Sequence, residues 1–162
     1  MPPSYQDPAG SLRTGNPFDI LQLTVKPFLY TAITKFPALI IGATIWFLSA
    51  QSTLPTIKGV LGFDKFLHLT AFFFFTAAVG LWFAPEKWRR RPLLTGLLTL
   101  GVGSLYGLID EAHQYFVPGR SSDIADWVAD TLGALLGSGA VWLVSRYVLK
   151  KFNYENFFKR TE

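Results

Sequence analysis

The stretch Asp110–Gly137, DEAHQYFVPGRSSDIADWVADTLGALLG, decides the fold because it places dense charge between two long apolar runs. Charged side chains beside membrane-compatible sequence are costly, so they need partners or a functional role. Pro118-Gly119 predicts a tight turn in the middle of the stretch, and the serines after it are candidate caps for a following helix. The stretch is therefore expected to contain the end of one helix, a turn and the start of the next helix.

The composition of the whole chain indicates a membrane protein. Half of its 162 residues are hydrophobic and 16% are charged, whereas an average soluble domain has about 25% charged residues. The net charge of +4 comes from basic residues beside apolar runs, so membrane anchoring is predicted and nucleic-acid binding is not. The chain has no cysteine, which excludes disulfides, thiolate metal sites and a cysteine nucleophile.

Four apolar runs predict an all-α fold, an integral membrane four-helix bundle. Each run reaches the length of about 20 residues that a membrane-spanning helix needs, although the first does so only if Lys35 extends to the interface. The predicted spans are residues 28–50, 66–84, 93–111 and 124–149.

Two tails flank the predicted transmembrane domain at residues 28–149, and a basic loop is expected within it. Residues 1–27, rich in proline and glycine, are predicted to form a disordered or interfacial tail without a signal peptide. Residues 150–162 mix basic and aromatic side chains and are predicted to form an interfacial tail. Glu86–Arg91 is expected to be a basic loop.

The distribution of lysine and arginine predicts the orientation of the spans. Twelve of these 15 residues lie in the N-terminal segment, the 86–91 loop or the C-terminal end. The positive-inside rule therefore predicts that the N- and C-termini and this loop are cytoplasmic. The start of span 2, the end of span 3 and the start of span 4 are then expected to meet at the outer boundary.

Helical spacing supports a shared polar site at these three ends. Asp64 and His68 are four residues apart, and Glu111 and Gln114 are three apart, so each pair shares a helix face. The polar residues expected to converge there, which form the candidate pocket, are Asp64, Lys65, His68, Glu111, Gln114, Arg120, Asp123, Asp126 and Asp130.

Two pairs of glycines continue the polar stripes of spans 3 and 4. Gly103 and Gly107 precede Glu111 on span 3, and Gly133 and Gly137 follow the aspartates of span 4. Such small-xxx-small patterns allow helix backbones to approach closely. The pattern predicts that spans 3 and 4 pack against each other and that their polar ends line one cavity.

The chain resembles the VanZ-like family of small bacterial membrane proteins from about Ser49 to Gly137. The resemblance rests on four ordered motifs, Asp64-Lys65-x-x-His68, Glu111-x-x-Gln114, Pro118-Gly119-Arg120-x-x-Asp123-x-x-Asp126 and Thr131-Leu132-Gly133. It implies a polytopic helical protein of the bacterial cytoplasmic membrane. The family's namesake is associated with low-level resistance to teicoplanin, a glycopeptide that acts on cell-wall precursors outside the membrane. The family usually has asparagine where this chain has Asp130, which adds a negative charge.

Each candidate residue has a structural and a functional interpretation. Asp123 and Asp126 are suited both to stabilising a helix N-terminus and to binding a ligand. Asp130, deeper in span 4, is expected to form a structural clamp with Arg120. His68 is suited to an interhelical hydrogen bond, to general acid–base chemistry or to metal ligation. His113 is expected on a loop surface.

Three functions remain open on the sequence alone. The first is a non-catalytic protein that binds a membrane lipid or cell-wall precursor through its headgroup. The second is a membrane enzyme, a hydrolase or transferase that acts on a lipid-linked substrate with His68 or Glu111 as general base. The third is a structural subunit for a partner protein. No cofactor and no metal are predicted. One or two imidazoles with carboxylates could bind a metal ion, but the chain has no His-Glu-x-x-His pattern, so the evidence for a metal site is weak.

Overall fold

Long α-helices form almost the whole of the described structure. In this computed structural model the backbone is described for residues 5–6, 12–13, 17–52 and 62–147, and the side chains for residues 29–52 and 62–146. The helices are α1 (Pro17–Ser49), α2 (Phe63–Gly80), α3 (Pro85–Arg90), α4 (Pro92–Gln114) and α5 (Ile124–Tyr147). A two-residue antiparallel pairing joins β1 (Tyr5–Gln6) to β2 (Leu12–Arg13).

Four of these helices are long and apolar enough to cross a membrane, which confirms the predicted all-α membrane fold. The candidate spans in the described residues are Leu29–Ser49, Phe63–Gly80, Pro92–Gln114 and Ile124–Arg146. The chain divides into two units, residues 1–34 and residues 35–162. Helix α1 begins at Pro17, so residues from the predicted disordered or interfacial tail are helical. The predicted tail at residues 150–162 lies outside the described residues.

The segment predicted to be a basic loop is instead the short helix α3. Pro85 occupies its first turn, where the missing N–H costs nothing, and Glu86 pairs with Arg90 four residues later. The guanidinium of Arg90 donates a hydrogen bond to Glu86, which holds the pKa of this exposed carboxyl below its usual range. The buried Trp88 fixes the helix to the bundle, because its indole N–H donates to the carbonyl oxygen of Gly80 at 3.0 Å.

The distribution of polar and apolar side chains is the reverse of that in a soluble protein. Large apolar side chains such as Ile40, Phe47 and Leu93 are 62–75% exposed, whereas Thr99 and Asp110 are completely buried. Exposed apolar surface all around the helices is what a lipid environment requires. The helices therefore present hydrocarbon to their surroundings and keep their polar groups inside.

An apolar cluster holds the second half of α1 against α2 and α4. Ala38 and Ile45 pack with Phe72, Phe75 and other α2 side chains. The Tyr106 ring of α4 packs against the same cluster, and its hydroxyl donates to the carbonyl oxygen of Gly42 at 2.7 Å. Towards the other end of this span, the Lys35 ammonium donates a hydrogen bond to the Trp82 carbonyl oxygen at 3.0 Å.

Candidate functional site

The start of α2, the end of α4 and the start of α5 meet at one end of the bundle, here called the polar end. This arrangement results from a close contact between α4 and α5 and from a second one between α5 and α2. A β-carbon on Gly107 of α4 would lie 2.8–2.9 Å from atoms of Asp130 on α5. The glycine therefore lets α4 approach the α5 carboxylate directly, and the predicted contact between spans 3 and 4 is present.

The glycines of α5 serve a different contact from the one predicted. Gly133 and Gly137 lie against the main chain of α2, and a β-carbon on either would overlap a carbonyl oxygen, that of Leu69 or Phe73. The α5 glycines thus pack against span 2 and not against span 3. This contact places the first turns of α2 directly beside the acidic turns of α5, and it completes the predicted convergence of three helix ends.

Lys65 is the cationic centre of the first group of polar residues. Its ammonium lies 2.7 Å from Asp126 Oδ1, 2.9 Å from Asp123 Oδ2 and 3.5 Å from Asp64 Oδ2. The hydrogen bond from Lys65, followed by one from the Ala125 N–H, holds the pKa of the Asp123 carboxyl below its usual range. Lys65 therefore joins α2 to α5 and neutralises much of the acidic first turn.

Asp123 and Glu111 together satisfy the N-terminus of α5. Asp123 Oδ1 accepts from the Ala125 N–H at 2.9 Å, and Glu111 Oε2 accepts from the Asp123 N–H at 2.8 Å. Free N–H groups at a helix start are stabilised by such acceptors. The capping role considered for Asp123 is observed, and Glu111 contributes to it from α4.

His68 and Asp130 form a second, buried pair between α2 and α5. His68 Nδ1 lies 2.9 Å from Asp130 Oδ1, and the two side chains are 11% and 0% exposed. The other oxygen of Asp130, Oδ2, has no hydrogen-bond partner among the described residues. Only one oxygen of this carboxylate is therefore hydrogen-bonded. An isolated charge within a membrane-spanning helix is energetically costly.

Arg120 does not form the predicted clamp with Asp130. Its Nη2 and Nε donate to the Gln114 side-chain oxygen at 2.6 Å and 3.2 Å. Gln114 in turn donates to Asp110 Oδ2 at 2.8 Å. The clamp prediction is wrong for two reasons. His68 lies on the side of α2 that contacts α5, and it bonds Asp130. The turn directs Arg120 towards the end of α4, where it bonds Gln114.

Two residues that the sequence did not place in the site complete this chain of hydrogen bonds. Asp110 is fully buried, and its Oδ2 also accepts from the Ser49 hydroxyl of α1 at 2.8 Å. Spacing contained a signal for Asp110, because it lies four residues before Gln114 on the same face of α4. No spacing rule links Ser49 to this face, since it belongs to a distant helix.

The expectation that His113 lies on a loop surface is wrong. This histidine lies in the last turn of α4, where its ring stacks on the Trp46 ring with centroids 3.9 Å apart. The loop prediction failed because α4 continues beyond the predicted span end at residue 111. His113 therefore joins α1 to α4 and stands apart from the Lys65 and His68 groups.

The polar residues mostly contact one another, and an open groove begins beside them. This groove has a volume of about 390 Å³ and is lined by Leu108, Glu111, Ala112, Tyr115, Phe116 and Ser122. Its walls are largely apolar, whereas Glu111 and Ser122 supply polar atoms. A ligand with an apolar body and a polar group matches this lining.

Two groups of three side chains have the composition and spacing to hold a metal ion. They are Asp64, His68 and Asp126, and His68, Glu111 and Asp130, and in each group the ligand atoms lie within 4.8 Å of one another. One imidazole and two carboxylates are suitable donors for divalent cations. His68 belongs to both groups.

Comparison with known proteins gives one match. A family model described as VanZ/LLP1 matches residues 5–145 of the chain. This match confirms the resemblance based on the motifs at the polar end and extends it towards both ends of the chain. No curated protein and no solved structure matches.

Proposed function

The chain belongs to the VanZ/LLP1 family, and we propose that its polar end binds the anionic headgroup of an envelope lipid or lipid-linked cell-wall precursor. Four helices suited to crossing a membrane make it a multi-pass membrane protein. We further propose that the membrane is the bacterial cytoplasmic membrane and that the polar end faces outward. The positive-inside rule supports that orientation, because most lysines and arginines lie in the opposite segments.

The hydrogen bonding of Arg120 carries this proposal. In the described part of the chain its guanidinium bonds a neutral amide oxygen and forms no ion pair with a carboxylate. Lys65, the neighbouring cation, is surrounded by three carboxylates. Arg120 therefore keeps its positive charge for an external anion, and a guanidinium is well suited to bind phosphate through two hydrogen bonds.

The position of Arg120 is fixed by the turn that carries it. Gly119 has a φ of 82°, a value that glycine adopts without strain, and the Arg120 N–H donates to the Val117 carbonyl oxygen at 3.1 Å. Gln114, which is 1% exposed, holds the guanidinium from below. A cation that is positioned before binding loses little entropy when a ligand arrives.

The aromatic residues at the end of α4 support a ligand in or on the membrane. Tyr115 and Phe116 are 73% and 79% exposed and line the groove that reaches Glu111. Aromatic side chains are enriched at membrane interfaces, where an apolar ring lies next to polar headgroups. The groove is therefore suited to the first carbons of a lipid chain, with its headgroup towards the polar end.

Binding of defined lipids to purified full-length protein tests the proposal. Native mass spectrometry in detergent would compare a polyisoprenyl phosphate, phosphatidylglycerol and the zwitterionic phosphatidylcholine. We expect the two anionic lipids to bind preferentially and Arg120→Gln to weaken their binding at least about tenfold, which corresponds to about 1.4 kcal/mol. Arg89→Gln is the matched control, because Arg89 is exposed on α3 and carries the same charge.

Equal binding of all three lipids, or equal losses in the two variants, would refute the headgroup proposal. If Arg120→Gln only reduced stability and left lipid affinity unchanged, the structural alternative would hold. A cellular assay complements these measurements. At equal protein level, Arg120→Gln is expected to remove any teicoplanin tolerance that the normal chain confers, and Arg89→Gln is expected to retain it.

The geometry of His68 favours one second candidate, a membrane enzyme. A carboxylate that accepts a hydrogen bond from one imidazole nitrogen orients the ring and leaves the other nitrogen available as a general base or acid. Asp130 is positioned to do this, because it lies 2.9 Å from His68 Nδ1. Release of phosphate or headgroup from a lipid-linked probe, abolished by His68→Gln with lipid binding retained, would support this candidate over simple binding.

A further inference from the structure

We propose that His68, Glu111 and Asp130 together bind one divalent transition-metal ion, Mn²⁺ or Zn²⁺, between α2, α4 and α5. The three residues come from three different helices, and their ligand atoms lie within 4.8 Å of one another. This metal site is independent of the headgroup proposal, which depends on Arg120.

The first argument is that two carboxylate oxygens in this group have no partner. Glu111 and Asp130 are 3% and 0% exposed, and Glu111 Oε1 and Asp130 Oδ2 have no hydrogen-bond partner among the described residues. A buried polar atom without a partner costs about 1–3 kcal/mol, and more when it is charged. Glu111 Oε2 is already bonded by the Asp123 N–H, so Oε1 is the oxygen left for an ion.

The second argument is the charge around the group. Asp110, Glu111 and Asp130 are three buried carboxyl groups, and His68 contributes at most one positive charge. Lys65 is bonded to the aspartates at the start of α5, and within the described residues it forms no ion pair with these three. A divalent cation would balance the remaining negative charge, as buried charges require.

The third argument is the distance between the donors. Two ligands at about 2.1 Å from one metal, separated by an angle between the octahedral and tetrahedral values, lie roughly 3.0–3.4 Å apart. His68 Nδ1 and Asp130 Oδ1 are 2.9 Å apart. An ion bound by His68 Nδ1 and by the Asp130 carboxylate, whose Oδ2 has no partner among the described residues, therefore needs little movement of either side chain. Binding releases a proton when His68 carries one.

The alternative group, Asp64, His68 and Asp126, is less suitable because the ammonium of Lys65 already lies beside two of its carboxylates. Lys65 lies 2.7 Å from Asp126 and 3.5 Å from Asp64. A metal ion at that position would be repelled by this charge and would have to displace it. The donors chosen here, one imidazole and two carboxylates, match the preferences that Mn²⁺ and Zn²⁺ share better than those of Ca²⁺ or Mg²⁺.

Metal content of the purified full-length protein tests the site directly. The protein would be stripped with a chelator in detergent, incubated with Mn²⁺ or Zn²⁺, desalted and analysed by elemental mass spectrometry. One ion per chain is expected. Electron paramagnetic resonance of Mn²⁺ gives the affinity, and Asp130→Asn is expected to lower it at least about tenfold, because even residues outside the ligand set change affinity by about 10–100-fold.

Two further variants make the result decisive. Glu111→Gln removes a second ligand, and Glu86→Gln removes the same charge from an exposed position on α3. We expect metal loss in Glu111→Gln and full retention in Glu86→Gln, with size-exclusion profiles that show all of the variants to be folded. Absence of stoichiometric metal in the normal protein, or equal affinity in all variants, would overturn the proposal. Arg120→Gln is expected to keep the metal, so failure of headgroup binding and failure of this site are separate results.

Discussion

A single methyl group at Gly133 is expected to weaken the bundle, because α5 and α2 touch there through their backbones. A β-carbon on Gly133 would overlap the carbonyl oxygen of Leu69 and lie 3.0 Å from the main-chain nitrogen of Phe73. No change of rotamer relieves an overlap with main-chain atoms, so the helices must separate. Overpacking of this kind costs about 1–3 kcal/mol.

Gly139→Ala supplies the matched control for Gly133→Ala. Gly139 lies on the same helix, and a β-carbon there would meet nothing within 4 Å. Both variants gain the same advantage of alanine over glycine in a helix, up to about 1 kcal/mol. The difference between their free energies of unfolding therefore isolates the helix contact and is expected to be about 1–3 kcal/mol.

Unfolding in mixed micelles titrated with a denaturing detergent provides the measurement. The intrinsic fluorescence of the five tryptophans reports the loss of tertiary packing. We expect the transition of Gly133→Ala at lower detergent fraction than that of Gly139→Ala. Coincident transitions for the two variants would refute the close approach of α2 and α5.

Two further predictions concern single hydrogen bonds at the polar end. Ser49→Ala removes a hydrogen-bond donor from the buried Asp110 carboxylate and is expected to lower the free energy of unfolding by about 1–3 kcal/mol. The control Ser52→Ala, at an exposed position, should change this free energy by less than about 0.5 kcal/mol. Equal changes in the two variants would contradict the prediction. Lys65 holds the pKa of Asp123 below its ordinary value of 3.8, so an NMR titration should show a lower midpoint that rises in Lys65→Met. Because the pKa of Asp123 is lower in the folded than in the unfolded protein, this contact stabilises the protein above pH 3.8, and the stabilisation is lost as the pH falls through the folded pKa. A titration midpoint of Asp123 that is unchanged in Lys65→Met would exclude the contact.

The number and nature of the helices could be predicted from the sequence, because hydropathy and length are properties of each segment alone. The convergence at the polar end was also predictable. Asp64 and His68 share one face of α2, and four antiparallel spans bring the relevant helix ends to one boundary. Both inferences use local spacing and chain topology and need no knowledge of how far each helix is rotated.

The partners of particular residues could not be predicted in the same way. A small-xxx-small pattern shows that a helix surface permits close approach, but it does not identify the neighbour. The pattern therefore predicts contact with α4 for the α5 glycines, whereas they lie against α2. The partner of Asp130 depends on that neighbour. Once α2 occupies the glycine surface, His68 lies beside Asp130, and Arg120 bonds Gln114 instead.

The contact between α2 and α5 also bears on the order of membrane insertion. During synthesis α2 leaves the ribosome before α5, so Lys65 and His68 at first lack the carboxylates of Asp126 and Asp130. Both residues lie in the first two turns of α2, and α2 has the lowest mean hydropathy of the four candidate spans. We therefore expect α2 to stay beside the insertion machinery until α5 emerges. The first half of the chain then depends on a later segment for its stable place in the bilayer.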